Sequence, residues 1–404
     1  MSAEAVTQPA VDSGKRLPLG VYLLAFSLLA MGSAEFLVAG VLPAIADDLA
    51  ITLPAAGALI TAFAIAVVIG GPPMAVLTLR WPRRTTLVVT QLLFAAAVAV
   101  SLLVDDYAVI LVARFVCGIA YAGFWAVAAV TAISLVPPER TARASGVVVS
   151  GLSIAMLAGG PASALLSYYT GWRGGFWAVF ALTLIGAILT AAAVPATKSA
   201  VEPGVRQELR AMKQPRLYAV YAATLLSTAS YMITYNYLAP LLTDVTGLGA
   251  VWVPPILTLF GIGAFVGLSI GGRIADARPF HALLIGAIGI GVSSVLLALL
   301  AEHDIAVIVL VVLMGIAGFV LNPAIYGRVF TLAGQAPTLA GSTAVSMFQL
   351  GISLVPVFAG IALSAGAEFT AIPWIGAGLA VLTVPAVLVD RTITRRRAAA
   401  DRAV

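Results

Sequence analysis

Twelve stretches of roughly 20 mostly apolar residues recur along this chain, centred near residues 30, 66, 94, 122, 155, 185, 229, 262, 290, 318, 351 and 381. A stretch of that length crosses the hydrocarbon of a bilayer as a helix, because a helix satisfies its own backbone hydrogen bonds where no water can. The expected fold class is therefore an all-α integral membrane protein with twelve transmembrane helices. Composition agrees: 61% of the residues are hydrophobic and 10% charged, against about 25% charged in a soluble domain. The long polar connection from Lys198 to Arg216 divides the spans into two sets of six. The expected organisation is a tail over 1–16, a six-helix bundle over 17–195, a linker over 196–216, a second bundle over 217–391 and a basic tail over 392–404. The tail carries Glu4 and Asp12 and leads into a full-length span, which reads as a cytosolic tail and not a cleaved leader.

Charge placement sets the expected orientation. With the amino terminus in the cytosol, all but Arg114 and Arg173 of the 22 Lys and Arg residues fall in the tails and the cytosolic connections. Those connections hold Arg80, Arg83 and Arg84, Arg140 and Arg143, the 198–216 stretch, Arg273 and Arg278, and Arg328. The outer connections carry Asp47, Asp48, Asp105, Asp106, Asp244, Glu302, Asp304 and Glu368. This is the distribution that places both termini in the cytoplasm. The net charge of +5 then reports topology and gives no reason to expect a nucleic acid partner.

Several chemistries find no support. Cys117 is the only cysteine and His281 and His303 the only histidines, so neither a disulfide framework nor a metal-ligand spacing can be assembled from them. The stretch "GIGAFVG" (261–267) imitates a dinucleotide fingerprint, but no strand precedes it and it lies within an apolar span. No Gly-Lys-Ser/Thr loop occurs, so no ATP hydrolysis and no cofactor is expected.

Two charges stand inside the spans. Glu35, in "MGSAEFLVAG", is the only chargeable residue between Leu17 and Ala46. An acid at that depth is costly and usually faces a protein interior or a water-filled path. Because a carboxyl can bind and release a proton, Glu35 is the candidate proton carrier. Arg114 lies about two turns into the fourth span and cannot shed its charge. It needs a partner, for which Glu35, a backbone carbonyl or a substrate all qualify. Cys117, three residues on, reads as a small packing residue.

The halves echo each other after their second helices, where "AVLTLRWPRR" from Ala75 aligns with "GRIADARPFH" from Gly272. Duplicated six-helix units are how many secondary transporters are built, with the substrate near the midplane between repeats. The chain resembles a major facilitator superfamily transporter, and is most similar to the twelve-helix drug:proton antiporters of the arabinose-efflux-like and chloramphenicol-resistance branch. The resemblance covers Leu17 to Arg391. It rests on "GSAEFLVAGVLPAIADDL", "WPRR", "RFVCG", "SGLSIAMLAGGP" followed by "GWR", and "LNPAIYGR". The loop signature departs from the family pattern in having Ala75, Leu79 and Pro82, while Arg80, Arg83 and Arg84 remain; its acid survives in the second half as Asp276.

The resemblance implies two pseudo-symmetric six-helix bundles in the major facilitator fold, acting as a monomer in a bacterial cell membrane. It implies that Arg114 assists proton coupling, and that Gly151, Gly159 and Pro161 belong to the antiporter motif of span five. The small residues of that motif also give a smooth packing face, and Pro161 is expected to bend the helix. Arg80, Arg83, Arg84 and Asp276 become cytosolic gating residues. Spans one, four, seven and ten line the cavity in this family. Here they offer Phe36, Tyr121, Trp125, Tyr231, Tyr235, Asn236, Asn322 and Tyr326 as a substrate wall. The expected function is proton-driven export of a small neutral or weakly cationic lipophilic compound, an amphenicol first. The alternatives are a sugar, nucleoside or other metabolite carrier, or, in a different class, a membrane enzyme or sensor.

Overall fold

The computed structural model describes residues 17–78, 81–137, 140–195, 205–334 and 337–400. Eleven of its helices are long and apolar enough to cross a membrane. In the first half these are α1 (Leu19–Asp48), α2 (Leu53–Thr78), α3 (Arg83–Leu103), α4 (Tyr107–Ser134) and α7 (Trp172–Ala193). The remaining span of that half is broken into α5 (Thr141–Ile154), a π-helical turn (Ala155–Gly159) and α6 (Gly160–Thr170). The break has a local cause: Pro161 lacks the N–H that an uninterrupted helix would use. The preceding turn widens to π geometry, which accommodates the missing donor and bends the span.

The linker holds a short helix, α8 (Val205–Ala211). The second half follows as α9 (Pro215–Asn236) with a short continuation α10 (Leu238–Pro240), α11 (Val253–Ala277), α12 (Pro279–Leu299), α13 (Asp304–Val320), α14 (Asn322–Ala333), α15 (Pro337–Ser364) and α16 (Ala371–Ala400). Helices α13 and α14 form one span interrupted at Leu321, with Pro323 in the first turn of the second piece. Helix α16 continues through Arg391, Arg395 and Arg396 to Ala400, so helix extends into what was expected to be tail.

Glycines set the closest helix contacts, and they do so in matching positions of the two halves. A Cβ on Gly118 of α4 would strike the backbone carbonyl of Phe63 in α2; one on Gly315 of α13 would strike that of Phe260 in α11. Gly263, Gly267 and Gly271 line α11 against the carbonyls of Val312, Ile316 and Val320. With helices already formed in the membrane, such backbone-to-backbone approach is what drives association.

Each half has its own apolar core, and the two cores trade members at the seam. Leu339 and Val345 of α15 pack into the core of the first half. Phe36, Ala155 and Met156 pack into that of the second. Helix α8 is docked as well: the buried carboxylate of Glu208 accepts the N–H groups of Thr338 (3.2 Å) and Leu339 (2.9 Å) at the start of α15. Those donors have no partner within the helix, and a negative charge suits that helix end.

Candidate functional site

Glu35 sits on α1 where that helix meets α15 of the other half, and is 7% exposed. Its Oε1 accepts a hydrogen bond of 3.0 Å from Nε2 of Gln349. Gln349 is 1% exposed, and its own Oε1 has no partner. Arg114, also buried, reaches α1 from α4. Its Nη1 donates to the carbonyl of Ala34 at 3.4 Å, and its guanidinium lies 4.9 Å from the centroid of the Phe63 ring. Of the three partners open to Arg114, the structure uses the backbone carbonyl next to Glu35; among the described residues no ion pair joins Arg114 to Glu35 itself. The Nε of Arg114 has no partner. An acid and a cation therefore stand on neighbouring helices, each bonded to a neutral group, in a region where low polarity lengthens the reach of charge.

The aromatic wall divides in two. Tyr121 is buried on α4 with its ring 5.4 Å from that of Phe63, and Trp125 is buried one turn along the same helix. Phe36 is buried beside Glu35 and joins the core of the second half. Of these, Tyr121 reaches α1 just before the acid, its hydroxyl lying 3.8 Å from where a Cβ on Gly32 would stand. Tyr231 and Tyr235 instead press their rings into the second half: Tyr235 lies 4.7 Å from Phe260, and Tyr231 lies 6.4 Å from Phe260 and 5.6 Å from Phe319. Asn322 is buried at the break between α13 and α14, while Asn236 and Tyr326 are half-buried, Tyr326 stacking on Phe330 at 6.5 Å.

The motif in span five packs as its small residues suggest. A Cβ on Gly151 would meet the backbone of Ala25, and one on Gly159 would meet Ser33, both on α1. Pro161 lies in the first turn of α6. Of the residues expected to gate, Arg83 donates from Nη1 to the carbonyl of Val130 at 3.5 Å, and Arg84 is half-buried at the start of α3. Asp276 lies in the last turn of α11 and its side chain is outside the described residues, as is the whole of Arg80.

Two charge clusters were not foreseen. Arg328, expected in a cytosolic connection, is buried within α14. Its Nε and Nη2 donate to Asp390 of α16 at 2.9, 2.6 and 2.7 Å, while its guanidinium lies 4.8 Å from the Phe280 ring centroid. Arg216 comes within 3.6 Å of Asp390 and donates to Thr394 at 2.6 Å. The expectation failed because α14 and α16 both run past their most apolar stretch, so a residue that looks terminal in sequence still faces a helix. The second cluster explains "GWR": Trp172 Nε1 donates to Asp48 at 2.9 Å, and Arg173 bridges Asp48 (2.6 Å) and Asp105 (2.5 Å) while lying over the Trp172 ring. It ties α1, the turn between α3 and α4, and α7 together at one end of the first half.

Gln349 is a residue of the site that the sequence reading does not single out. The signal was present in its spacing: Leu339, Ser342, Ser346 and Gln349 recur at three or four residues in α15, which puts them on one helix face. Among the described residues no group of three or more His, Cys, Asp and Glu gathers as a metal ion would require.

A dozen membrane spans in two repeated halves, meeting at a seam that holds a buried acid, define a secondary membrane carrier. The chain belongs to the major facilitator superfamily, whose sequence model matches residues 24–356. It is 39% identical over 351 residues to the chloramphenicol resistance protein of Streptomyces lividans, covering 86% of this chain and 90% of that one. It is 28% identical over 357 residues to the chloramphenicol efflux pump Rv0191 of Mycobacterium tuberculosis, covering 86% of each. In three dimensions it matches the major facilitator transporter FucP in its outward conformation, with a TM-score of 0.69 over 92% of this chain and 98% of that one. At 16% identity that likeness bears on fold alone.

Proposed function

We propose that the protein is a proton-coupled exporter of a small lipophilic compound, neutral or weakly cationic, with an amphenicol as the first cargo to test. The observation that carries this reading is Glu35: a lone carboxyl buried in α1, at the seam between the halves, and bonded to the opposite half. A group so placed changes its surroundings whenever the halves move, and a proton-coupled carrier needs a site whose protonation differs between its states. Arg114, one helix away, sets a fixed positive charge beside the site.

Cargo rests on two supports. The site offers one acid, one fixed cation and walls of Phe36, Tyr121 and Trp125, which suit an uncharged ring better than a polyol needing many paired hydrogen bonds. Two relatives bear names that specify chloramphenicol resistance or efflux. In this reading, 17–195 and 217–391 are the rocking units, 196–216 is the cytosolic linker, and both termini lie in the cytoplasm of a bacterial cell. A monomer suffices, and the proton gradient drives it without a cofactor, metal or ATP. Arg80, Arg83, Arg84 and Asp276 serve as cytosolic gating residues, and Gly151, Gly159 and Pro161 let span five flex against α1.

Expression in a pump-deficient bacterial host should lower accumulation of labelled chloramphenicol several-fold, and a protonophore should restore it. Glu35→Gln, which keeps size and removes titration, should accumulate the drug as the empty host does. Unchanged accumulation in cells that export a sugar or nucleoside instead would replace the amphenicol reading with a metabolite carrier.

A further inference from the structure

The face that α15 turns toward the first half is continuous. Leu339 and Val345 enter the core of α2 and α4; Ser342 and Ser346 lie where a Cβ on Gly71 of α2 would strike them. Ser346 also donates to the carbonyl of Val67 at 3.3 Å. One turn further on, the same face ends at Gln349 and its bond to Glu35. Every earlier contact that this face makes with the first half is apolar or neutral, so Gln349 is the place where it meets an ionisable group of that half.

Gln349 is also an uncomfortable residue for a buried seam. It uses Nε2 on Glu35 and leaves Oε1 without a partner, and an unsatisfied buried acceptor is a cost that an apolar side chain of the same length would avoid. The bond to Glu35 is what it gains. That bond serves a carboxylate best: a hydrogen bond to an ionised acceptor is roughly twice as strong as one to a neutral acceptor. The other groups around Glu35 do not cross the seam in this way. Arg114 and Tyr121 belong to α4 of its own half, and α2, the π-helical turn and α15 contain no charged residue. From the second half, α9 and α14 carry the hydroxyls of Tyr231 and Tyr326. Arg173 is engaged at the outer cluster.

We propose that Gln349 is the positioning residue through which the charge on Glu35 holds α15 against the first half. This rests on Glu35 being the proton carrier. With Glu35 ionised, the bond to Gln349 clamps the seam and the cytosolic ends of the halves stay together. A proton arriving at Glu35 weakens the bond, and the cytosolic side opens. The proton then leaves to the cytosol as cargo enters, and the recharged carboxylate draws Gln349 back. Proton entry and cargo exit thereby share the clamped position of α15, and proton release and cargo entry share the open one.

The test uses the full-length protein in lipid nanodiscs with Cys117→Ala, and spin labels on Thr85→Cys and Thr331→Cys. These two exposed positions lie near the cytosolic ends of α3 and α14, in opposite halves. Their distance distribution, measured by pulsed electron resonance on either side of neutrality, should shift toward longer separations on acidification. The change in the open-to-closed ratio should be about fivefold or more, the lower end of usual coupling between sites. Gln349→Met, similar in volume but unable to donate, should give the same distribution at both pH values. Gln349→Asn, which keeps the amide a methylene short, should recover part of the shift, and it carries the comparison if the Met variant does not assemble. Glu35→Gln separates the two ideas. If its distances still respond to pH, Glu35 is not the carrier and this proposal falls with that reading. If they do not respond while Gln349→Met keeps the full shift, Glu35 stands and the role of Gln349 is overturned.

Discussion

Asp48 and its neighbours display at single-residue scale how an outer face is fastened. The indole N–H of Trp172, and after it the guanidinium of Arg173, hold the Asp48 carboxyl below the usual carboxylate range. A carboxylate whose folded pKa is depressed stabilises the fold at neutral pH, and that contribution is lost as pH falls through the folded value. The pair is partly exposed, so the effect should be small. Thermal unfolding of the wild type should therefore weaken on strong acidification more than that of Asp48→Asn, while the two curves run parallel near neutrality. An identical acid limb in both proteins would show that the cluster does not link pH to stability. Nothing in the sequence pairs Asp48 with a residue 125 positions away, although the need for acids and an arginine on the outer side was legible. Glu35 gives the complementary case. Its importance follows from its cost in an apolar span, but Gln349 becomes its partner only through the register of α15 on α2. That register is a tertiary fact, set by where Gly71 lets α2 approach.

Elements were more legible than their interruptions. Apolar runs of membrane length identify the spans because lipid permits few alternatives. They do not reveal that spans five and ten are broken at the π-helical turn and at Leu321, since proline in a membrane helix produces anything from a slight bend to a break. The glycine stripes were legible as smooth faces and gained their partners from the structure. They also give a paired prediction across the repeat. Gly118→Ala and Gly315→Ala each press a methyl group onto a backbone carbonyl of the facing helix, which cannot swing aside as a side chain would. Each should cost about 1–3 kcal/mol, the usual range for overpacking, seen as a lower unfolding midpoint of the detergent-solubilised protein. Gly327→Ala is the control: a Cβ there meets nothing within 4 Å, and alanine is the better helix former by about 1 kcal/mol. Equal losses at all three positions would show that the close approach of α4 to α2 and of α13 to α11 is not what the glycines serve.

At the scale of the whole molecule, orientation follows from charge and is open to direct test. With α1 starting in the cytosol, α8 with its exposed Arg206 and Arg210, and the exposed Lys213 just beyond it, also lie there, α8 being docked through Glu208 onto the start of α15. Inverting the molecule would place these cations, with Arg391, Arg395 and Arg396, on the outer side and the acids Asp48, Asp105 and Glu302 inside, against the usual bias. Single-cysteine labelling in Cys117→Ala decides between the two, and the structure guides the choice of sites. Asp105 is a poor reporter because it is bonded to Arg173. Glu302 is exposed and outside that cluster, and Arg210 is exposed on α8 without being the residue that docks it. In intact cells a membrane-impermeant maleimide should modify Glu302→Cys and leave Arg210→Cys untouched; in inside-out vesicles the pattern should reverse. Labelling of Arg210→Cys in intact cells, with Glu302→Cys protected, would invert the topology. The seam closed by Leu339, Ser342 and Ser346 would then face the outside, and a proton entering from there would meet a shut gate where the proposed cycle needs an open one.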